Sequence, residues 1–545
     1  WIGGTSSGEN IGSWILVRGL WFERSRRFHA RSWIVPGNRL MQLAPIFLVA
    51  ALMAVDGGLT PVGESWGLSR AIMAMGAVGP LVPTLLLTWL GVWRCLKQLS
   101  RGRVPSPIVL AERLTRWSRL AIVIIHVIGV TVFGWLDVVR SFTGDVVFID
   151  EFIALLPALL GLSATWWIYY PVERRLRDAL LIRRMDEGLP VYPLLGRMSY
   201  VLLQVRLQLL LLLVPVLLIM LCREAAETLV PRFAEPSSVG MVTEMVTLGS
   251  AAMVFILSPL LARVLLDVQP MATGELRESL LEVCRRHRVK MRELLVWNTN
   301  GSMINAAVMG LIAPLRYVMI TDALIETLWQ DQVRAVMAHE IGHVKRHHMP
   351  WLIACLLASF ILTWEVLVRS VRALGGDSWA TNQDMADWLS LGLGATHLIL
   401  GLLLFGWVCR RFERQADTFA VQHLSGMGQQ GVGESTPIVT EEAGRAMRGA
   451  LESIAVMNTV DRHRRSWRHG SIAWRQAYLK SIVGRPVNRL PIDRLMLCIK
   501  AAAALVLLGA LAMEMFSIAP SNDDQEIVTP TLSNKFMAVT PRTAP

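Results

Sequence analysis

The residues best suited to chemistry are two histidines four positions apart with a glutamate directly after the first: His339-Glu340-Ile341-Gly342-His343. If Val333–His348 is helical, that spacing puts both imidazoles on one face, one turn apart. Two neutral imidazoles so placed can bind one zinc ion. Glu340 is rotated off the pair and can act as base on a water at the metal. Zinc lowers the pKa of such a water toward about 7, so a nucleophile forms at neutral pH. A catalytic zinc site also needs a third protein ligand and an open fourth position. The best candidate is Glu413, in the run Cys409 to Asp417. Asp417 lies one turn on, shares the face of Glu413, and can fix the tautomer of a ligand histidine by accepting its hydrogen bond. The bland alternatives are a helix with two solvated histidines and a helix end where Glu413 and Asp417 pair with arginines.

Such a site requires two helices, far apart in sequence, to converge. Upstream, Leu276 to Arg288 reads as an amphipathic helix with Leu276, Leu280, Leu281 and Cys284 on one face. Short apolar runs at Leu294–Thr299, Ile304–Met309 and Arg316–Thr321 read as strands, with Asn300–Gly301 as a hairpin turn. Asp322 starts a helix, and Asp331 starts a second that runs into the motif. The stretch 425–440, rich in Gly, Gln and Ser, reads as a loop, and Pro520–Pro545 as a loosely ordered tail. There is no internal repeat.

Composition assigns these elements to a membrane protein. Of 545 residues, 53% are hydrophobic and 18% charged, below the quarter or so typical of soluble chains. A spanning helix needs around 20 mostly apolar residues. Candidate spans lie near 41–55, 71–93, 120–138, 152–170, 207–222, 245–266, 351–371, 388–408 and 499–517, about nine in all. The net charge of +12 is distributed between spans. Arg18, Arg24, Arg26, Arg27, Arg31 and Arg39 precede the first, and basic clusters follow the second (Arg94 to Arg119) and fourth (Arg174 to Arg197). The alternate loops carry Asp56 and Glu64, then Asp145, Asp150 and Glu151, then Glu224, Glu227 and Glu235. Farther on come Asp377, Asp384 and Asp387, a basic 409–496 segment, and Asp523, Asp524 and Glu526. Lys and Arg favour cytoplasmic loops, so the pattern implies a cytoplasmic N-terminus, an outside C-terminus, and cytoplasmic 267–350 and 409–496 segments. This distribution argues against nucleic acid as a partner. The six cysteines are scattered and suggest neither a metal site nor a disulfide framework. The chain starts at Trp1, so the native start is expected upstream, and no signal peptide is read in the first segment. The expected fold is mainly α and polytopic, with a small cytoplasmic α+β peptidase domain. Its parts are a membrane region (1–266), a catalytic domain (267–350), a transmembrane hairpin (351–408), a cytoplasmic segment with the third ligand (409–496), and a last span with a tail (497–545).

With these motifs in place, the chain resembles the membrane zinc metallopeptidases that include the HtpX heat-shock protease and the CAAX prenyl endopeptidases. The group's helix reads H-E-x-G-H, often with a further histidine five places on, where this chain has His348. Its second motif, R-x-x-E-x-x-A-D, is met by Arg410, Glu413, Ala416 and Asp417. An upstream Asn-Ala element matches Asn305-Ala306. A downstream H-P-x-x-x-x-R element is similar to His469 through Arg475, with Gly470 in place of proline. The resemblance covers about 267–485. It implies one zinc ion per chain, with Arg410 and Asp417 supporting the ligands. Asn305 and Ala306 would lie on an edge strand that holds substrate backbone. His469 would donate to the tetrahedral oxyanion, and Arg475 would anchor that region and help bind substrate. Asn305 serving only its turn, and His469 as a surface residue beside Arg462, Arg464, Arg465 and Arg468, stand as alternatives. His126 and His397, each within a span, read as packed polar residues, and His347 as a solvated neighbour of His348.

The leading functional expectation is a zinc metalloendopeptidase cleaving protein or peptide substrates, membrane-associated ones above all, at the cytoplasmic face. A bacterial plasma membrane is the default location in the absence of targeting signals. A BlaR-type sensor is the second reading; the short tail after the last span argues against it. An intramembrane protease is disfavoured because Val344 to His348 is too polar for mid-bilayer burial. A non-catalytic membrane scaffold is the remaining alternative. The oligomeric state, the substrate and the cleavage preference are not encoded in any motif.

Overall fold

The computed structural model describes residues 44–56, 60–101, 106–186, 191–301, 303–375, 383–428, 436–458 and 460–518. The N-terminal arginines, the side chains of Asp377, Asp384 and Asp387, the middle of the 425–440 loop and the 520–545 tail lie outside the described residues. The chain divides into two compact units, with the division after Leu266.

The first unit is helical. Among the described residues, it contributes Arg70–Leu99, Ser106–Thr131, Ile149–Asp178, Arg197–Arg232 and Val239–Leu265 to the 8 helices long and apolar enough to cross a membrane. The expected span near 41–55 is a shorter apolar helix, Ala44–Val55. Leu48, Leu52, Ile122, Leu155, Leu162, Trp166 and Leu213 form its buried centre. Val239–Leu265 has only 11% of its apolar window buried against the chain. A helix apolar all round and so little covered requires lipid around it. The span expected at 120–138 is not continuous: the helix ends at Thr131, Gly134 adopts a left-handed φ of 61°, and a new helix runs Trp135–Thr143. Periodicity alone cannot see such a break. Asp150 and Glu151, expected on a solvated loop, are buried against Arg140, whose Nη2 lies 2.7 Å from Glu151. His126 and His397 are packed polar residues, meeting the carbonyls of Leu48 (3.2 Å) and Phe360 (3.0 Å).

The second unit combines a small sheet with helices, labelled here in order. These are β1 (Val268–Pro270), α1 (Glu275–Arg286), β2 (Glu293–Trp297), β3 (Ala306–Met309), β4 (Tyr317–Thr321), α2 (Asp322–Thr327), α3 (Gln330–Lys345), α4 (His348–Ala373), α5 (Gln383–Leu424), α6 (Glu441–Met457), α7 (Ile472–Ser481) and α8 (Pro491–Ile518). The sheet order is β1-β2-β4-β3. β4 is central and every residue of Tyr317–Thr321 is buried, as its unbroken apolar run requires. β3 pairs with β4 on one side only and is an edge. The Asn300–Gly301 turn exists, with φ of 52° and 65°, but it does not make the expected hairpin. β2 pairs in parallel with β4, and β4 separates it from β3. The turn is fixed instead by Asp322, whose carboxylate accepts the N–H groups of Thr299 (3.1 Å) and Gly301 (3.2 Å).

Two further expectations are corrected. The motif helix does not reach His348: α3 ends at Lys345 and His347 takes a φ of 54° before α4 begins. The proposed boundary at 408/409 falls inside one continuous helix, since α5 carries both apolar span and Glu413. Helix α3 packs on α5 through Gly342 and Phe419. A Cβ at Gly342 would stand 3.0 to 3.1 Å from Phe419 side-chain atoms, so the Phe419 side chain packs directly on the α3 backbone where Gly342 has none of its own. Gly342→Ala overpacks this contact and is expected to cost about 1–3 kcal/mol, read as a lower melting temperature of the detergent-solubilised protein.

Candidate active site

His339 and His343 project from the last two turns of α3, and Glu413 from α5. The two Nε2 atoms are 3.3 Å apart. Each lies 3.9 Å from a Glu413 oxygen, Oε2 for His339 and Oε1 for His343. One donor atom from each residue falls within 4.8 Å of the others, a spacing that one metal ion can bridge. Burial, together with the charge of neighbouring His339, pushes the His343 pKa down to about 4. Its ring is therefore neutral, with a lone pair available at neutral pH.

Asp417, fully buried one turn beyond Glu413, lies 2.9 Å from Nδ1 of His339. Burial disfavours a charge on His339, but the adjacent carboxylate outweighs it and raises the pKa. A carboxylate at Nδ1 favours a proton there and leaves Nε2, the atom facing His343 and Glu413, as the electron donor. Arg475, on α7, donates Nε to Asp417 at 2.7 Å and Nη2 to its second oxygen, and its Nη1 lies 3.6 Å from Glu413. Burial works against the Arg475 charge, yet Asp417 and Glu413 hold its pKa above the ordinary value. Arg475 is 8% exposed. Its donors face two carboxylates, so it sits behind the ligand set and not on a peptide-binding surface as the resemblance implied.

Glu340 is the next residue on α3 and points toward the sheet. Its Oε2 accepts the backbone N–H of Val308 on β3 at 3.1 Å. Burial pushes its pKa up to about 7, with His339 pulling down and Glu413 pushing up. A carboxyl tuned near neutrality, within reach of an edge strand, suits proton transfer. Because Val308 N–H points away from β4, the outer edge of β3 faces Glu340. Asn305 and Ala306 begin that edge. The Asn305 side-chain oxygen accepts the Ala306 N–H at 3.0 Å, and Asn305 pairs through its backbone with Thr321. Asn305 thus serves its own turn, while its amide nitrogen stays at an exposed position.

His469 is 54% exposed, and its Nδ1 lies 3.1 Å from Glu413 Oε1. Gly470 explains how the loop delivers it without the proline. Gly470 has a φ of 75°, which a proline ring forbids, and Ser466 and Gly470 exchange backbone hydrogen bonds of 3.2 and 3.1 Å. Arg410, expected beside the ligands, instead donates Nη1 to the Trp467 carbonyl at 2.9 Å and supports this loop.

Sequence reasoning missed a polar chain behind His343. His348 is fully buried, with Nδ1 3.0 Å from His343 Nδ1 and Nε2 3.0 Å from Gln415 Oε1. Gln415 in turn donates to Asp493 on α8 at 2.7 Å. The placing of His348 five residues after His343 was visible, but nothing in the sequence pointed to Gln415 or Asp493. His347 is exposed.

Residues 270–434 match peptidase family M48. A CAAX prenyl protease 1 homolog of Arabidopsis thaliana is 29% identical over 182 residues, 32% of this chain and 42% of that protein. A protease HtpX homolog of Aeropyrum pernix is 30% identical over 145 residues, 26% of this chain and 43% of that protein. The chain thus spans less than half the length of these curated relatives. The crystal structure of S. mikatae Ste24p aligns over 75% of this chain and 98% of its own, at 14% identity and a TM-score of 0.40. The polypeptide is a multi-pass membrane protein, and its residues 270–434 are similar to peptidase family M48.

Proposed function

We propose that this protein is a zinc metalloendopeptidase that hydrolyses peptide bonds of protein substrates at the cytoplasmic face of the membrane. The observation that carries the reading is the convergence of His339, His343 and Glu413 donor atoms within 4.8 Å, beside a buried Glu340. The donor set fits zinc: two imidazoles and one carboxylate, with a carboxylate behind one imidazole. Zinc, when bound, supplies Lewis acidity that polarises a carbonyl and acidifies water. Glu340 takes the proton of the attacking water and returns it to the leaving amine. The outer edge of β3, from Asn305 and Ala306 to Val308, holds extended substrate by strand addition. His469 donates to the oxyanion, and Arg475 and Asp417 orient the ligands. The side of the membrane follows from the arginine-rich flanks of the spans, and a bacterial plasma membrane is the default location.

Three outcomes are expected. Glu340→Gln keeps its zinc, measured by atomic emission, but loses about 100-fold or more of kcat on an unstructured membrane-tethered substrate; unchanged cleavage rejects the mechanism. Glu413→Ala is purified with far less than one zinc per chain, and a chelator such as 1,10-phenanthroline abolishes wild-type cleavage until zinc is restored. Metal-free protein that still cleaves would remove the metal from the reaction. His469→Ala lowers kcat about 100-fold with little change in KM if it donates to the oxyanion. A rate near wild type makes it a surface residue of its loop.

A further inference from the structure

The segment between α6 and α7 carries a basic arc that the peptidase reading does not use. Arg462, Arg464, Arg465 and Arg468 lie close together in the sequence. Arg462 approaches Glu452 at 3.8 Å. Among the described residues, no carboxylate lies within ion-pair distance of Arg464, Arg465 or Arg468. Arg465 and Arg468 are exposed.

Trp467, inside the arc, fixes its level. The indole N–H donates to the carbonyl of Leu402 on α5 at 3.2 Å, and the ring covers Gly406, where any Cβ would collide with it. That part of α5 is apolar and uncovered: Leu398, Ile399 and Leu403 are 51%, 58% and 58% exposed. One to three turns farther along α5, the surface turns basic, with Arg410, Arg411 and Arg414. Arg411 stacks on Trp407 and Arg414 on Trp474, with 4.6 and 3.4 Å to the ring centroids. An indole seated where a lipid-facing helix turns basic is the usual marker of the membrane interface. The arginines around it therefore stand at headgroup level, continuous with the lipid-exposed face of α5.

We propose that this arc is a docking surface for anionic phospholipid headgroups of the bilayer the chain spans. Juxtamembrane arginines are drawn to anionic leaflets, each adding about five-fold to association. The arc also carries His469, which reaches Glu413 from the same closed turn. A docked headgroup thereby holds the turn in place beside the ligand set. An acidic peptide is the less favoured occupant, because the arc adjoins lipid-exposed apolar surface.

Hydrogen–deuterium exchange of residues 460–471 tests the proposal on the full chain in nanodiscs. Discs of phosphatidylcholine are compared with discs in which part of it is replaced by phosphatidylglycerol. Exchange is expected to slow several-fold in the anionic discs. In the triple variant Arg464→Gln, Arg465→Gln, Arg468→Gln the difference disappears while the melting temperature holds. The same protection is expected in Glu340→Gln, so the outcome is independent of whether the protein is a peptidase. Equal exchange in both disc types, or protection that survives the triple substitution, overturns the proposal. So does equal protection by inorganic phosphate added to phosphatidylcholine discs, which would indicate a soluble-anion site. Protection by polyglutamate but not by phosphatidylglycerol would assign the surface to an acidic peptide instead.

Discussion

The buried carboxylate of Asp417 is the constraint on which the rest of the centre depends. It is completely enclosed, and an enclosed charge persists only if it is neutralised on all sides. Arg475 supplies a two-point guanidinium contact from α7, and His339 meets it from α3 at 2.9 Å. One group thus ties together three elements that are distant in sequence. It also decides which nitrogen of His339 faces the other donors. Loss of Arg475 would leave the Asp417 charge buried without its cationic partner, a fault worth about 3–5 kcal/mol. Gly342 acts in the same direction, by letting α3 come close enough to Phe419 for Asp417 to reach the histidine.

A second set of contacts locks the other histidine. His348, Gln415 and Asp493 form a polar file from His343 to α8. Gln422 extends it, with its side-chain N–H donating to the Val487 carbonyl at 2.6 Å. Lys500 on α8 also donates to the carbonyl of Arg346 at 2.8 Å, at the end of α3. The last apolar helix therefore does more than cross lipid: its first turns brace the end of the motif helix. These contacts brace α3 and the long helix α5, whose His339, His343 and Glu413 donor atoms lie within 4.8 Å of one another. Glu413 is carried by the same continuous helix, α5, as an apolar span.

The pattern behind the proposed chemistry is local. The i, i+4 histidines, the following glutamate and the Glu413–Asp417 pair depend on helical repeat alone, a local property that survives any tertiary arrangement. Apolar length and arginine placement likewise marked the spans. The hairpin expected at Asn300–Gly301 shows where local reasoning stops. Its residues do adopt the positive φ that their types favour, yet β2 pairs with β4 and not with β3, a choice that the turn residues do not set. Gly134 shows the same limit: its break turns one apolar stretch into two helices without changing composition.

What the sequence determined by itself is the face that His339 and His343 share and the presence of long apolar helices; it read about nine spans where the described residues hold 8 and a shorter apolar helix, Ala44–Val55. The shared face and the apolar length are consequences of covalent spacing and of side-chain solubility, and they hold residue by residue. Only the tertiary structure decided that α3 and α5 meet at Gly342, that Arg475 lies behind the carboxylates and not before a substrate, and that Gln415 and Asp493 back His343. These are contacts between side chains tens of residues apart, set by packing and by the need to pair every enclosed charge, and no local pattern encodes them.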